Sequence, residues 1–280
     1  MSALADQTVL VTGGAGSIGK VLVERILAAS AKAVRVFDSD EYGLFQLNRQ
    51  VQSDRIRLLL GDVKDEQRVD FALKDVDVVY HLAAAKNIEI TEYNAAETFR
   101  VNILGTLNMV ERTLSNGVEK FIFISSDKAV YPETLYGTTK LIGEHATLWA
   151  QKVAKKGSYS IARFGNVIET RGNVFDIWRQ QDRDGLPQTL TDSEAMRFFW
   201  HVDEAADFLL TVADVMQGGE VFIPPMKLEL MKEVFQRQYP GREYVVTGLR
   251  GKEKLQERLT TDAEELQLKR VHGIWIIKDA

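Results

Sequence analysis

Short apolar runs alternate with longer stretches in which apolar residues recur at three- and four-residue spacing. The runs 7–12, 33–37, 55–60, 76–81, 121–124 and 159–164 read as strands. Runs so short and so apolar suit parallel strands buried on both faces. A helix follows Gly19 through Val21, Leu22, Ile26 and Leu27, and longer helical patterns cover about 95–115 and 135–155. This alternation predicts an α/β fold, a Rossmann-type doubly wound parallel sheet. Beyond residue 165 the alternation loosens into a helix over 173–184, a short strand over 188–190, a helix over 202–216, a strand over 220–223 and a helix over 226–238. Residues 1–165 are therefore expected to form the main domain. Residues 166–280 are expected to form a smaller C-terminal lid, with some segments returning to the main core.

Both long helices carry apolar residues on more than one face, among them Leu141, Ile142, Leu148 and Trp149 in the second. A helix apolar nearly all round needs a second partner. Pairing with the same helices of another copy, in a homodimer or larger homo-oligomer, is the natural solution.

The chain has 280 residues, a formal charge of −5 and no cysteine. That length can bury a sizeable core. The absence of cysteine excludes disulfides and thiolate metal sites and suits a cytoplasmic enzyme. No apolar run reaches membrane-spanning length, and no basic-then-apolar signal opens the chain. No long basic block is present, which argues against nucleic acid as a partner. None of the four histidines stands at metal-ligand spacing to another, so no metal site is expected.

The first strand runs into Gly13-Gly14-Ala15-Gly16-Ser17-Ile18-Gly19 and then a helix. Glycines there let backbone approach a pyrophosphate, and the helix N-terminus offers N–H groups to it. Asp38 ends the second strand, where an acid accepts the ribose hydroxyls of NAD and repels the 2′-phosphate of NADP, so NAD is favoured. Asp62 and Val63 follow the third strand. The small residues Leu82-Ala83-Ala84-Ala85 follow the fourth and let backbone pass beneath a cofactor, with Lys86 overlooking the same cleft. His81 reads as a packed core histidine. Asn102 is a polar residue on a mostly apolar helix.

The fifth strand leads into Ser125-Ser126-Asp127-Lys128, and Thr134 is a plausible N-cap for the helix that follows. Tyr136 and Lys140 lie four apart on that helix and share a face. A phenol titrates near ~10, so use as a base at neutral pH needs a drop of roughly 3 units, part of which a neighbouring ammonium supplies. The pair is a proton acceptor for a sugar or alcohol hydroxyl.

With these motifs the chain resembles the extended short-chain dehydrogenase/reductases, and within them the UDP-N-acetylglucosamine 4,6-dehydratases of capsule and flagellin-sugar biosynthesis. The shared marks are the Gly13, Gly16 and Gly19 loop, Gly61-Asp62-Val63-Lys64-Asp65, Glu92-Tyr93-Asn94, Asn102-Ile103-Leu104-Gly105-Thr106, Ser126-Asp127-Lys128-Ala129, Tyr136-Gly137-Thr138-Thr139-Lys140, Arg163-Phe164-Gly165-Asn166-Val167, Arg171-Gly172, Arg197-Phe198-Phe199 and Gly248-Leu249-Arg250 with Glu253-Lys254-Leu255. The Asp-Lys-Ala tripeptide is the specific one. The resemblance implies internal redox dehydration of a UDP-hexosamine. In it Tyr136, aided by Lys140, takes the C4 hydroxyl proton, Lys128 removes the C5 proton, Asp127 protonates the departing C6 hydroxyl and Ser126 bonds the C4 oxygen. It also implies Arg171, Arg197 and Arg250 as phosphate and uracil contacts, Asn166 at the sugar or diphosphate and Glu253 at the uridine ribose. These roles require Lys128 to be lowered from ~10.4 and Asp127 to be raised by burial. The chain departs from the family pattern at Asn87, at Glu169-Thr170 and at Gly251-Lys252. The rival readings are an NAD-dependent nucleotide-sugar 4-epimerase or dehydrogenase, which needs no Lys128, and a nucleotide-binding scaffold without chemistry.

Overall fold

The computed structural model describes residues 2–249 and 252–278. In chain order the first strands are β1 (Thr8–Thr12), β2 (Ala33–Asp38), β3 (Ile56–Leu60), β4 (Val78–His81), β5 (Lys120–Ser126) and β6 (Ser158–Phe164). Later come β7 (Asn166–Val167), β8 (Thr189–Leu190), β9 (Met196–Trp200), β10 (Glu220–Ile223), β11 (Lys227–Leu230), β12 (Val245–Val246), β13 (Lys269–Val271) and β14 (Ile274–Lys278). The helices are α1 (Ser17–Ala28), α2 (Glu41–Gln50), α3 (Glu66–Leu73), α4 (Ile88–Tyr93), α5 (Ala95–Phe99), α6 (Gly105–Asn116), α7 (Leu135–Val153), α8 (Val174–Arg183), α9 (Val202–Val215), α10 (Met231–Gln238) and α11 (Asp262–Glu265).

Nine strands form the central sheet in the order β13-β14-β10-β6-β5-β4-β1-β2-β3. It is parallel from β3 to β10, and β14 and β13 close it as an antiparallel edge. Strand order reverses between β1 and β4, the place where the carboxyl ends of a doubly wound sheet open a crevice. Leu22, Ile26, Leu44 and Leu209 of α1, α2 and α9 pack one face of the sheet. Val69, Met109 and Ala150 of α3, α6 and α7 pack the other. A third apolar cluster holds the smaller layer together, with fully buried Trp178 meeting Phe175 and Phe235 edge-on.

All six predicted early strands form, and the doubly wound sheet is as expected. Several features differ, among them the unannounced strands β7, β9 and β12. The helix expected over 95–115 is interrupted by a π-helical turn at Arg100–Leu104. The helix expected over 226–238 begins as β11, because Lys227 to Leu230 pair antiparallel with β9. The hairpin β13–β14 adds two strands that local pattern did not announce. Among the described residues, no helix is long and apolar enough to cross a membrane.

Candidate active site

Two adjoining cavities open at the carboxyl ends of the parallel strands, of about 460 and 440 Å³, and Ile18, Leu82, Lys86 and Arg171 border both. Each lies in the ordinary range for a small-molecule site.

The first cavity is floored by the glycine loop between β1 and α1. Gly13 has a left-handed φ of +67°, and a Cβ there would stand 2.8 Å from the Ala83 backbone nitrogen. The loop and the alanine turn after β4 are thus packed backbone to backbone, which leaves the cavity walled by main chain. Asp38 anchors the far side: its Oδ2 accepts from the Ala15 N–H at 2.9 Å and its Oδ1 from the Asp40 N–H at 3.0 Å. Gly16, Ser17, Ile18, Gly19, Asp62, Val63, Ala83 and Ala85 also border this cavity. Asn102 sits on the π-helical turn and exchanges two hydrogen bonds with the Ala85 backbone, at 2.8 and 2.9 Å, while its amide also reaches Thr139 at 3.0 Å. Such turns are often found where a helix must aim one side chain; here it pins the alanine turn to α7. His81 is buried between Thr12 and Thr106, and burial lowers it to about 3, so it is a neutral core residue as expected.

The second cavity holds the acid–base residues. Thr134 caps α7 by accepting from the Gly137 N–H at 3.1 Å. A Cβ on Gly137 would stand 2.2 Å from the Lys128 carbonyl oxygen, so α7 lies directly on the Asp127–Ala129 turn. That contact brings Tyr136, Lys140, Ser126 and Lys128 to one cavity wall, with Asn166 and Glu253 also bordering it. Asp127 is fully buried and borders neither cavity; its Oδ2 faces the position a Gly165 Cβ would take, at 3.4 Å. Asp127 Oδ1 accepts from Ser126 at 2.7 Å and pairs with the Lys128 ammonium at 3.1 Å.

Two electrostatic expectations are corrected. Lys128 is raised, not lowered: burial acts downward, but the carboxylates of Asp127 and Glu257 outweigh it. Tyr136 is raised to about 12 by burial, and the cation that opposes this is Lys128, with Ser126 helping. Lys140 is turned away, donating to the Ile124 carbonyl at 2.8 Å over the Phe123 ring, and burial lowers it to about 8. Two neighbouring carboxylates at Lys128 and the depth of Tyr136 account for both reversals.

The remaining predicted residues spread along the cleft. Lys86 stands between the cavities and is lowered by burial. Arg171 crosses from the smaller layer to the glycine loop, its backbone N–H donating to Ser17 Oγ at 3.0 Å and its guanidinium 3.6 Å from Asp40. Arg197 is buried and holds Glu253 at 2.7 Å and the Leu255 carbonyl at 3.0 Å. Asn166 Oδ1 is 3.5 Å from the Lys128 ammonium. Arg250 lies outside the described residues. Sequence reasoning missed Glu257, which meets Lys128 at 3.6 Å from a distant segment. It also missed the buried Glu144–Arg163–Glu264 group, in which Arg163 reaches Glu144 at 2.7 Å and Glu264 at 2.9 Å.

The model of a family described as polysaccharide biosynthesis protein matches residues 9–279. An uncharacterized membrane protein of Methanocaldococcus jannaschii is 38% identical, over 97% of this chain and 86% of its own length. A UDP-N-acetylglucosamine 4,6-dehydratase (inverting) of Campylobacter jejuni is 33% identical, over 90% of this chain and 76% of its own length. Among solved structures, Pen from Bacillus thuringiensis superposes with a TM-score of 0.92 at 32% identity, covering 98% of this chain and 89% of that one.

Proposed function

The chain belongs to the polysaccharide biosynthesis protein family, and on that premise we propose that it is an NAD-dependent nucleotide-sugar 4,6-dehydratase acting on UDP-N-acetylglucosamine or a close UDP-hexose. The observation that carries this reading is Lys128. Its ammonium borders the same cavity as Tyr136 and pairs with a fully buried carboxylate, an acid–base pair that epimerisation or simple dehydrogenation at C4 does not need. The relative named as a UDP-N-acetylglucosamine 4,6-dehydratase supports the same reading.

A nicotinamide dinucleotide fits the first cavity. The glycine loop leaves no room for a Cβ at Gly13, its backbone meets α1 at the N-terminal end that favours a pyrophosphate, and Asp38 at the end of β2 would hold the ribose hydroxyls, the reason NAD is proposed over NADP. When bound, the cofactor supplies reversible hydride acceptance. Tyr136 is the proposed acceptor of the C4 hydroxyl proton, a role that needs its phenol, pushed up to about 12 by burial, to ionise once substrate and cofactor are bound; Ser126 bonds the C4 oxygen. The 4-keto group makes the C5 hydrogen acidic; Lys128 removes it, and Asp127, which meets the cavity through Ser126 and Lys128, supplies the proton with which the C6 oxygen leaves as water, after which C6 would take back the hydride and C5 a proton from Lys128. Lys86, Asn166, Arg171, Arg197, Arg250 and Glu253 are the proposed contacts to the sugar diphosphate and uridine; of these, the Arg197–Glu253 pair holds a buried cation at the cavity wall. Arginine suits such a phosphate partner. We further propose that the enzyme works as a homo-oligomer through α5, α6 and α7.

The test is incubation with UDP-N-acetylglucosamine and NAD in deuterated water. The expected product has lost one water, carries a 4-keto group and holds solvent deuterium at C5. An epimer without deuterium would instead assign a 4-epimerase.

A further inference from the structure

Glu257 is buried at 3% exposure in a segment clamped from both sides. Before it, Met196 donates its backbone N–H to the Leu255 carbonyl at 2.8 Å, and Lys254 donates to the Val130 carbonyl at 2.6 Å, just past the Asp127–Ala129 turn. After it, Arg163 donates to the Leu259 carbonyl at 3.0 Å. The chain therefore holds a carboxyl group against Lys128, 3.6 Å from its ammonium, while Asp127 meets the same ammonium at 3.1 Å. Among the described residues, one oxygen of each carboxyl, Asp127 Oδ2 and Glu257 Oε2, is buried without a hydrogen-bond partner. A buried ionised carboxylate with an orphan oxygen is costly, whereas a protonated one is not charged. The groups that face Glu257 are Asp127 and Lys128 from the turn, Arg197 from β9 and Lys254 from its own segment. Arg197 is already paired with Glu253, and Lys254 stands at 3.8 Å.

We infer that Glu257 is a third member of the acid–base cluster, sharing one proton with Asp127 across Lys128. Its role is that of a positioning residue, since it borders neither cavity and acts only through Lys128, whereas Asp127 also meets Ser126 at the cavity wall. Two carboxylates sharing one ammonium do not both ionise readily, and burial together with Asp127 pushes Glu257 upward against the pull of Lys128. The proton count closes over the elimination step. At rest the three groups hold two protons, the ammonium proton of Lys128 and one on the carboxyl pair. Passing the ammonium proton to the second carboxylate leaves a neutral amine facing the cavity and both carboxyls protonated. Lys128 then gains the C5 proton and Asp127 gives one to the C6 oxygen, which restores an ammonium and one carboxyl proton, now on Glu257. Glu257 thus explains how Lys128 is freed although two carboxylates raise it.

The catalytic consequence rests on the 4,6-dehydratase reading, but the shared proton does not. Infrared difference spectra of the intact protein at neutral pH, wild type against Glu257→Gln and against Asp127→Asn, are expected to show loss of one protonated-carboxyl stretch in each variant. Either substitution leaves a single carboxylate beside Lys128, which ionises. The inference is overturned if wild type shows no such band, or if the band survives in either variant. In turnover, Glu257→Gln is expected to lower kcat by about tenfold or more with KM for the sugar nucleotide unchanged; a lower kcat without the spectral change would mark a purely structural role and overturn the inference. A wild type that shows the band but yields no dehydrated sugar would sink the dehydratase reading and leave the proton pair standing.

Discussion

Lys140 shows how one buried side chain ties stability to pH. The residue is 5% exposed, its amine bonded to the Ile124 carbonyl and held at about 8 against an ordinary 10.5 by burial, which Glu144 only partly opposes. A lysine lowered on folding is charged in both states below about pH 8, so the full desolvation cost is present there. Between about 8 and 10.5 the unfolded chain binds the proton that the folded one has lost, so stability rises with pH. Relative to Lys140→Met, the wild type is expected to gain on the order of 3 kcal/mol across that window and to show a constant difference below it, as read by urea unfolding at a series of pH values. A flat difference across the window would mean that the amine is solvated. Position was legible in sequence where spacing carried it: the glycine loop, Asp38 and Ser125-Ser126-Asp127-Lys128 each follow a strand end, and Tyr136 and Lys140 follow the cap of one helix, but that Lys140 bonds the Ile124 carbonyl and Lys128 is the cation opposing the burial of Tyr136 was not. Glu257 was not legible. Nothing in Gln256-Glu257-Arg258 sets one carboxylate apart in a charged stretch, and its burial comes from β9, Arg163 and Arg197. The direction of the Lys128 shift was hidden for the same reason, since it depends on that second carboxylate.

At the scale of elements, the parallel strands were readable because burial on both faces demands apolar runs, and each run is stopped by glycine, aspartate or small residues. Where the pairing is antiparallel and partly exposed, local pattern misleads. Lys227-Leu228-Glu229-Leu230 alternates with a period of two, yet Leu228, Met231, Val234 and Phe235 also stand at helical spacing; pairing with β9 decides the matter. The joint between elements that matters most for the site is the buried Glu144–Arg163–Glu264 group. It fastens α7, β6 and α11 together, and Ser125 at the end of β5 donates to Glu144 at 2.5 Å. Arg163→Met leaves the buried Glu144 and the half-buried Glu264 without their cation and is expected to destabilise by about 3–5 kcal/mol. Adding Glu144→Gln removes one stranded charge, so the double variant is expected to be the more stable of the two in denaturant titration. Equal stability of the single and double variants would show that Glu144 relaxes to water.

For the whole molecule, the helix α7 also faces outward. Trp149 and Val153 of α7, one turn apart on the same face, are 46% and 48% exposed, and Phe99 and Leu104 on the neighbouring helical run are 47% and 45% exposed. Another side of α7 packs on β5, where a Gly143 Cβ would meet the Phe123 ring. Two such faces brought together bury apolar area on both copies, and a stable dimer needs about 1,200–2,000 Å² in total. The protein is therefore expected to sediment as a dimer or larger at micromolar concentration, and Trp149→Glu with Val153→Glu to sediment as a monomer. Because the introduced charges stay in water on the separated chain, the variant should keep its fold by circular dichroism. Sedimentation of the wild type as a monomer throughout that range would remove these helices as an interface and leave their exposed aromatic residues without a structural reason.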